Sequence, residues 1–533
     1  MGMTDPIEQG IARGWRITDA STLSGDQTVE SDVVVVGTGA GGGTTAEILA
    51  EAGLRVVLVE EGRLYHQPDF RMDEHEAYAS LYQEGMSRMT ADGSIAILQG
   101  RCVGGSTTVN WTSSFRTPEP TLNHWQQGFG LEDLSPQALA PWFDSREQRH
   151  SVAPWRIPPN TNNDVLRRGC EALDYAWGVI PRNVKSCWNL GYCGVGCPTN
   201  AKQGTLLTCI PGALNHRATL YHSLRAERLV MQQDHISHLQ ASALASDGLT
   251  PNGATVTLRA RHFVVAASAL GTPALLLRSQ LPDPFEQVGK RTFLHPVNAC
   301  VARMPETVAP YYGAPQSVYC DTFNFRDGVT GPAGYKLEVP PLHPALAAAV
   351  VPSHGRKQYK SLKQLPHMQA LIALLRDGFH PDSPGGTVHL RDDGSPVLDY
   401  PLTDYLWRGL REAYLTMAEL QFAAGARAVQ PIHMDARWYT RWRDAREAIR
   451  ALPMQVHRTR LFTAHQMGGC AMGSKPENSV TNSFGEHHHV ANLSIHDASL
   501  FPTSIGANPQ LTVYALAARN SEKLAMKLAM LVS

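Results

Sequence analysis

Residues 33–60 read VVVVGTGAGGGTTAEILAEAGLRVVLVE. The run Val33-Val34-Val35-Val36 is β-branched and bounded by glycine, the pattern of a strand buried on both faces of a parallel sheet. Gly37, Gly39 and Gly42 then stand at the G-x-G-x-x-G positions, with Ala40 among them. A helical stretch is predicted from Thr44 to Ala52, capped by Gly53. A second strand, Arg55 to Val59, ends at Glu60. Each part has a physical task. Gly37 permits the tight turn, Gly39 lets the backbone approach a pyrophosphate, and Gly42 lets helix and strand pack closely. The pyrophosphate sits on the helix N-terminus, where free N–H groups and the dipole favour negative charge. Glu60 lies eighteen residues after Gly42, near the spacing of about 20 expected for a ribose-binding carboxylate. Strand, turn, helix, strand and acid in this order predict a dinucleotide-binding unit. The carboxylate argues against a 2′-phosphate and so against NADP, but does not separate NAD from FAD.

Composition narrows the function classes. The chain has 533 residues, 43% hydrophobic and 18% charged, with a formal net charge of −1. That is an ordinary globular mix with material for a large core, here expected as two lobes. Nucleic-acid binding needs a basic footprint, and none is visible. The longest apolar run, Ala345 to Val351, falls far below the roughly 20 residues of a membrane span. The first thirty residues hold charges and glycine and no signal-peptide core, so a cytoplasmic protein is expected. Nine cysteines fit reduced thiols rather than a disulfide scaffold.

Further motifs follow in order: GRCVGGSTTVN from Gly100, SALGTPALLLRS from Ser268, VGKRTFLHP from Val288, HQMGGCAMG from His465, DASLFP from Asp497 and GANPQLT from Gly506. From about Ser31 to the C-terminus this ordered set resembles the glucose–methanol–choline (GMC) oxidoreductase family of flavoproteins. NWTSSFRTP from Asn110 and GYCGVGCPTNAKQGT from Gly191 are similar to its long-chain fatty alcohol oxidase branch. The second family signature usually carries glycine where this chain has Ser268 and Gln280.

The resemblance implies an α/β protein: an FAD-binding Rossmann-like fold with a second, α+β substrate lobe containing an antiparallel sheet. The FAD lobe is expected to be assembled from residues 28–115, 205–300 and 455–533, and the substrate lobe from 116–204 and 301–454. Expected cofactor contacts are Gly37, Gly39, Ala40, Gly42, Glu60, Gly100, Arg101, Gly104, Gly105, Asn110, Ala226, Ala267, Asp497, Ala498, Pro509 and Gln510. Some members tether FAD through a histidine just before the Asn110 position. Here Val109 stands there, so non-covalent FAD is expected.

The chemistry implied is oxidation of a primary, long-chain aliphatic alcohol to an aldehyde. FAD takes the hydride, and the protein supplies a base and holds the carbon. Histidine suits the base, being neutral near pH 7. By position His465 matches the family's catalytic histidine, and Asn508 the second member of its pair. Asparagine hydrogen-bonds the substrate oxygen without sharing the proton, so the base role falls on His465. Pro509 suits the first turn of a helix through Leu511, Tyr514 and Leu516. Its positive N-terminus would favour charge gathering on the reduced flavin. The electron acceptor, oxygen or a quinone or other carrier, is left open. Peripheral contact with the inner face of a membrane is allowed for. The alternatives are the same chemistry on a sterol or aromatic alcohol, or a lyase or decarboxylase on the same fold.

Several features have plainer readings. Cys187, Cys193 and Cys197, with Cys209 beyond, are too unevenly spaced for the paired ligands of a structural zinc site. His487-His488-His489 would point to alternate faces of a strand. No metal is therefore expected. His295 and the remaining histidines are read as structural. Thr387 to Leu402 alternates around an Asp393-Gly394 turn, a hairpin signal. Asp404 is placed as the cap of a following helix whose Leu406, Leu410, Tyr414, Met417, Leu420 and Phe422 form a core face. The apolar segment Pro340–Leu375 is read first as core, with the lining of an apolar tunnel as the alternative. Lys357, Lys360 and Lys363 are read as a solvated face.

Overall fold

A computed structural model describes residues 5–530. The last three residues of the expected 455–533 segment lie outside the described residues. Two sheets organise the chain. In the first, strands run in the order Arg16–Asp19, Thr219–His222, Val56–Val59, Gln27–Val36, Pro251–Val265, His235–Leu244 and Leu224–Gln232, and Leu493–Ile495 also pairs with Pro251–Val265. The strands around Gln27–Val36 are parallel. The last three of the series form an antiparallel meander. Val33 and Val35 pack on one side with helices Ala40–Glu51 and Cys209–Asn215, while Val34 and Val36 pack on the other with Phe263 and Leu275. Burial on both faces is why this strand reads as an unbroken apolar run.

Helix Ala40–Glu51 starts four residues earlier than the sequence suggested. Its first turn is the glycine-rich segment itself, because backbone just beyond the ends of two strands presses on it. A Cβ at Gly41 would come 1.5 Å from the carbonyl oxygen of His496, and one at Gly42 would come 1.9 Å from that of Gly37. The Gly271-Thr272-Pro273 segment lies inside helix Ser268–Arg278. There Pro273 is the sixth of eleven residues, so its missing N–H leaves the Ala269 carbonyl without its usual donor within the helix.

The second sheet has the order Ile95–Ile97, Leu461–Thr463, Val297–Arg303, Met368–Leu375, Tyr335–Glu338, Val318–Cys320 and Gly178–Val179, with Ala428–Pro431 also on Val297–Arg303. Its long pairs are antiparallel. Helices Asp404–Ala423 and Thr161–Ala172 cover one face, packing Leu406, Leu410, Tyr414 and Met417 onto Leu371, Ala373 and Leu375. Strand alternation turns Val297, Ala299, Ala370, Ile372 and Leu374 to the opposite face. Within segment 340–375, the strand Met368–Leu375 is thus split between core and the opposite face, and residues 344–350 and 355–362 are helical. The hairpin forms as Thr387–Leu390 with Pro396–Asp399. Thr403, not Asp404, is the helix N-cap; Asp404 is the first helical residue, where its charge favours the dipole.

Strands 95–97 and 461–463 belong to the second sheet although they flank nucleotide-binding segments. Helices Glu119–Phe129 and Pro136–Arg149 pack Leu122, Trp125, Leu139 and Phe143 into the core of the first sheet. No helix among the described residues is long and apolar enough to cross a membrane.

Candidate active site

A single cleft of about 1420 Å³ connects the glycine turn after Val36 with the apolar face of the second sheet. At its nucleotide end Gly37 has φ +98° and lies against the Ala266 carbonyl, while a Cβ at Gly39 would meet nothing within 4 Å. Gly39 caps helix Ala40–Glu51 without any side-chain hydrogen bond. Uncapped N–H groups at a helix start that faces an open cleft are the donor set a pyrophosphate requires.

Most of the expected cofactor contacts reach this cleft: Gly37, Gly39, Ala40, Glu60, Gly100, Arg101, Gly105, Asn110, Ala226, Ala267, Asp497, Ala498, Pro509 and Gln510 line it. Gly42 and Gly104 do not. Gly42 packs behind the turn, and the Gly104 N–H donates to Thr38 Oγ1 at 3.0 Å. Burial pushes the Glu60 carboxyl up to about 7, against donors from Thr38 Oγ1 at 2.5 Å and the Gly62 N–H at 2.9 Å. Arg101 bridges Glu61 and the Gly248 carbonyl. Asp497 Oδ2 accepts from the Ser268 N–H and Thr272 Oγ1. It therefore fixes the start of helix Ser268–Arg278 beside the cleft. Asn110 Nδ2 donates to Gln510 Oε1 at 2.8 Å, and Gln510 Nε2 donates to the Ser113 carbonyl at 2.7 Å. This ties the start of helix Gln510–Met530 to the Gly100–Asn110 segment.

His465 and Asn508 both line this cleft, as do Val297, Ile372, Leu374, Phe462 and Trp111. Burial alone pulls the His465 imidazole down to about 4, so it is neutral at pH 7. Its Nδ1 lies 2.9 Å from His295 Nδ1. The Gly506 N–H donates to His295 Nε2 at 3.2 Å, which places the His295 proton on Nδ1 and makes His465 Nδ1 the acceptor. His465 Nε2 then bears its own proton and has no partner among the described residues. The reading of His295 as merely structural is corrected: it directly holds the candidate base. Burial, then His465 and Lys336, push His295 well below the usual histidine range.

Two further groups escaped the sequence reading. Asn508 Nδ2 donates to Glu338 Oε2 at 3.2 Å. Burial raises the Glu338 carboxyl to about 7, opposed by Lys336 and the Asn508 bond. Lys336, on the same strand face, stands 3.5 Å above the Phe115 ring and 3.1 Å from Asp321. A K-L-E strand segment gives no sign of burial, because alternating charges usually mark a solvated face.

The cysteines sit apart from this chemistry. Cys187 Sγ accepts from the Asn189 N–H, and Cys197 Sγ lies 3.5 Å from Thr199 Oγ1. Among the described residues, only Asp5, Glu8 and His66 gather three metal-capable ligand atoms. His488 Nε2 pairs with Ser479.

Comparison with known proteins agrees with this geometry. Residues 78–297 and 381–517 match the N- and C-terminal GMC oxidoreductase family profiles. A long-chain-alcohol oxidase of Arabidopsis thaliana is 30% identical over 97% of this chain and 72% of its own length. An uncharacterised GMC-type oxidoreductase of Mycobacterium tuberculosis is 31% identical over 93% and 76%, respectively. Among solved structures, a formate oxidase variant of Aspergillus oryzae superposes with a TM-score of 0.71 at 16% identity, over 94% of this chain and all of that one. Pyridoxine 4-oxidase gives 0.68 at 17% identity, over 92% and 98%. At such identities the structural likeness speaks for the fold alone. With the family profiles, the relatives and the dinucleotide cleft in agreement, the chain belongs to the GMC oxidoreductase family and is an FAD-dependent oxidoreductase.

Proposed function

We propose that the protein oxidises primary, long-chain aliphatic alcohols to aldehydes. The observation that supports this reading is that one cleft is lined by the glycine turn, by His465 and Asn508, and by the apolar residues Val297, Ile372 and Leu374. The similar relatives include several plant long-chain-alcohol oxidases, which supports the substrate class. FAD, when bound, accepts the hydride from the carbinol carbon.

The chain's own residues do the rest. Asn508, oriented by Glu338, hydrogen-bonds the alcohol oxygen. His465, kept neutral by burial, takes the hydroxyl proton at Nε2. For Nε2 to present its lone pair, the proton of His465 must sit on Nδ1. His295 must then accept at Nδ1 and carry its own proton on Nε2, facing the Gly506 N–H. Leaving that amide unsatisfied costs about 1–3 kcal/mol, small beside the barrier lowering of an enzyme. Val297, Ile372, Leu374 and Phe462 offer the alkyl chain a dry surface. Val109 lines the cleft and has no nucleophile, so FAD is held without a covalent bond. The electron acceptor would be oxygen, a quinone or another carrier.

Anaerobic mixing with dodecanol, cholesterol and benzyl alcohol tests the reading. Flavin bleaching fastest with dodecanol supports it. Bleaching fastest with cholesterol or benzyl alcohol, or none with any of the three, contradicts it.

A further inference from the structure

Val109, Asn110, Trp111, Thr112 and Ser113 form the cleft wall between the glycine turn and His465. Two buried cations stand directly behind this wall. Lys202 is 5% exposed, and its ammonium donates to the carbonyl oxygens of Thr108 and Asn110 at 2.7 Å and of Cys193 at 2.6 Å. Arg182 is 1% exposed; its Nε donates to Thr112 Oγ1 at 2.8 Å and its Nη2 to the Trp111 carbonyl at 3.2 Å. Its Nη1 is buried with no partner, and the guanidinium lies 4.9 Å from the Trp155 ring centroid.

Neither cation has a carboxylate partner among the described residues. Burying an ion costs several kcal/mol even after relaxation, and an adjacent carboxylate is the usual compensation. Here the acceptors are backbone carbonyls, the Thr112 hydroxyl and the Cys193 sulfur, 3.5 Å from Arg182 Nη2, and the two like charges repel each other. The ionisable groups facing Lys202, apart from Arg182, are the thiols of Cys193, Cys197 and Cys102. Burial pushes Cys102 up to about 12, so it is neutral. Burial also raises Cys197, but bonds from Thr199 and the Lys202 N–H outweigh it and leave that thiol below its usual value.

We infer that Lys202 and Arg182 form a buried positive pole that raises the reduction potential of the FAD in this cleft. Oxidised flavin is neutral at its ring. Taking up a hydride adds two electrons and one proton, a net negative charge, and an unpaired positive pole behind the wall favours that form. The inference rests on FAD occupying the cleft, and on no particular alcohol.

The test uses the FAD-loaded protein, equilibrated at pH 7 with a two-electron reference dye, after FAD content per chain has been measured. Lys202→Met is expected to lower the ratio of reduced to oxidised flavin at fixed poise about tenfold, equivalent to 29.6 mV. It is also expected to weaken the flavin–sulfite adduct, and Lys202→Arg should restore both. Cys197→Ser should leave the ratio within about twofold, since thiol–ammonium pairing is not the balancing interaction. A Lys202→Met protein with full FAD, a cooperative melt and unchanged ratio and sulfite affinity overturns the inference. A large rise in the ratio for Cys197→Ser also overturns it. If Lys202→Met does not retain FAD, Arg182→Gln is read by the same two measurements. If neither variant retains FAD, wild-type holoenzyme that forms no adduct at saturating sulfite decides against the pole, and ready adduct formation supports it.

Discussion

Asn508 Nδ2 stands 3.2 Å from Glu338 Oε2, and Asn508 Oδ1 and Glu338 Oε1 are both buried without a hydrogen-bond partner among the described residues. The carboxylate thereby sets which way round the amide lies. Its Oδ1 and remaining N–H are left for whatever oxygen reaches the pocket beside His465.

Glu338→Gln should disturb this orientation while keeping the side-chain volume. Because burial raises Glu338 to about 7, the bond is taken at the ordinary value of about 0.5–1.5 kcal/mol, so flavin reduction by alcohol should slow by about two- to tenfold. FAD content should be unchanged. Stopped-flow reduction measures this, and a rate equal to that of the unaltered protein would show that Glu338 does not orient Asn508.

The wall position Val109 carries a second expectation. Because valine forms no bond to the flavin, acid precipitation should leave all the yellow colour in the supernatant. Colour retained in a washed pellet would reveal a covalent link elsewhere in the cleft.

The sheet face of Val297, Ile372 and Leu374 should make rate depend on chain length. Each methylene buried contributes up to about 0.8 kcal/mol, so kcat/KM should rise by at most about fourfold per carbon until the chain outgrows the surface. Leu374→Ser removes part of that surface, and it should reduce kcat/KM for dodecanol several-fold more than for butanol. Equal losses for the two alcohols would place the alkyl chain elsewhere.

How much of this was legible in sequence differs from residue to residue. The glycine turn was, because each of its glycines answers to a local demand of backbone and phosphate. His465 and Asn508 came from resemblance, not from spacing. Glu338 was hidden by the alternation Lys336-Leu337-Glu338, which mimics a solvated strand. His295 was hidden because 170 residues separate it from His465, and only the packing of strands 292–294 and 466–468 brings them together. Lys202 and Arg182 were unreadable as buried charges, since nothing local marks a cation whose partners are backbone carbonyls. The start of helix Ala40–Glu51 was misjudged because glycine lowers helix propensity, whereas here close backbone contact requires it.

Buried neutral histidines should make the fold acid-labile. Burial pulls His465 and His150 down to about 4, and His262, His487 and His496 to about 3. The ordinary value is 6.5, so the unfolded chain binds more protons between these limits, and stability falls as pH drops from about 6.5 toward 3. Glu60, Glu338 and Asp377, raised to about 7 by burial, act oppositely: they favour the folded state as pH falls from about 7 toward their ordinary values. The five histidines outnumber them. Melting temperature recorded from pH 7 to pH 4 should decline, and a flat or rising profile would show that these imidazoles are charged in the folded protein.

The most direct measurement follows FAD absorbance after anaerobic mixing of dodecanol with the holoenzyme and with its His465→Ala variant. Rapid bleaching of the unaltered protein is expected, with a loss of about 10²-fold or more in the variant and full FAD retained in both. Equal rates for the two proteins, or a holoenzyme that dodecanol leaves oxidised, would contradict proton abstraction from an alcohol at His465.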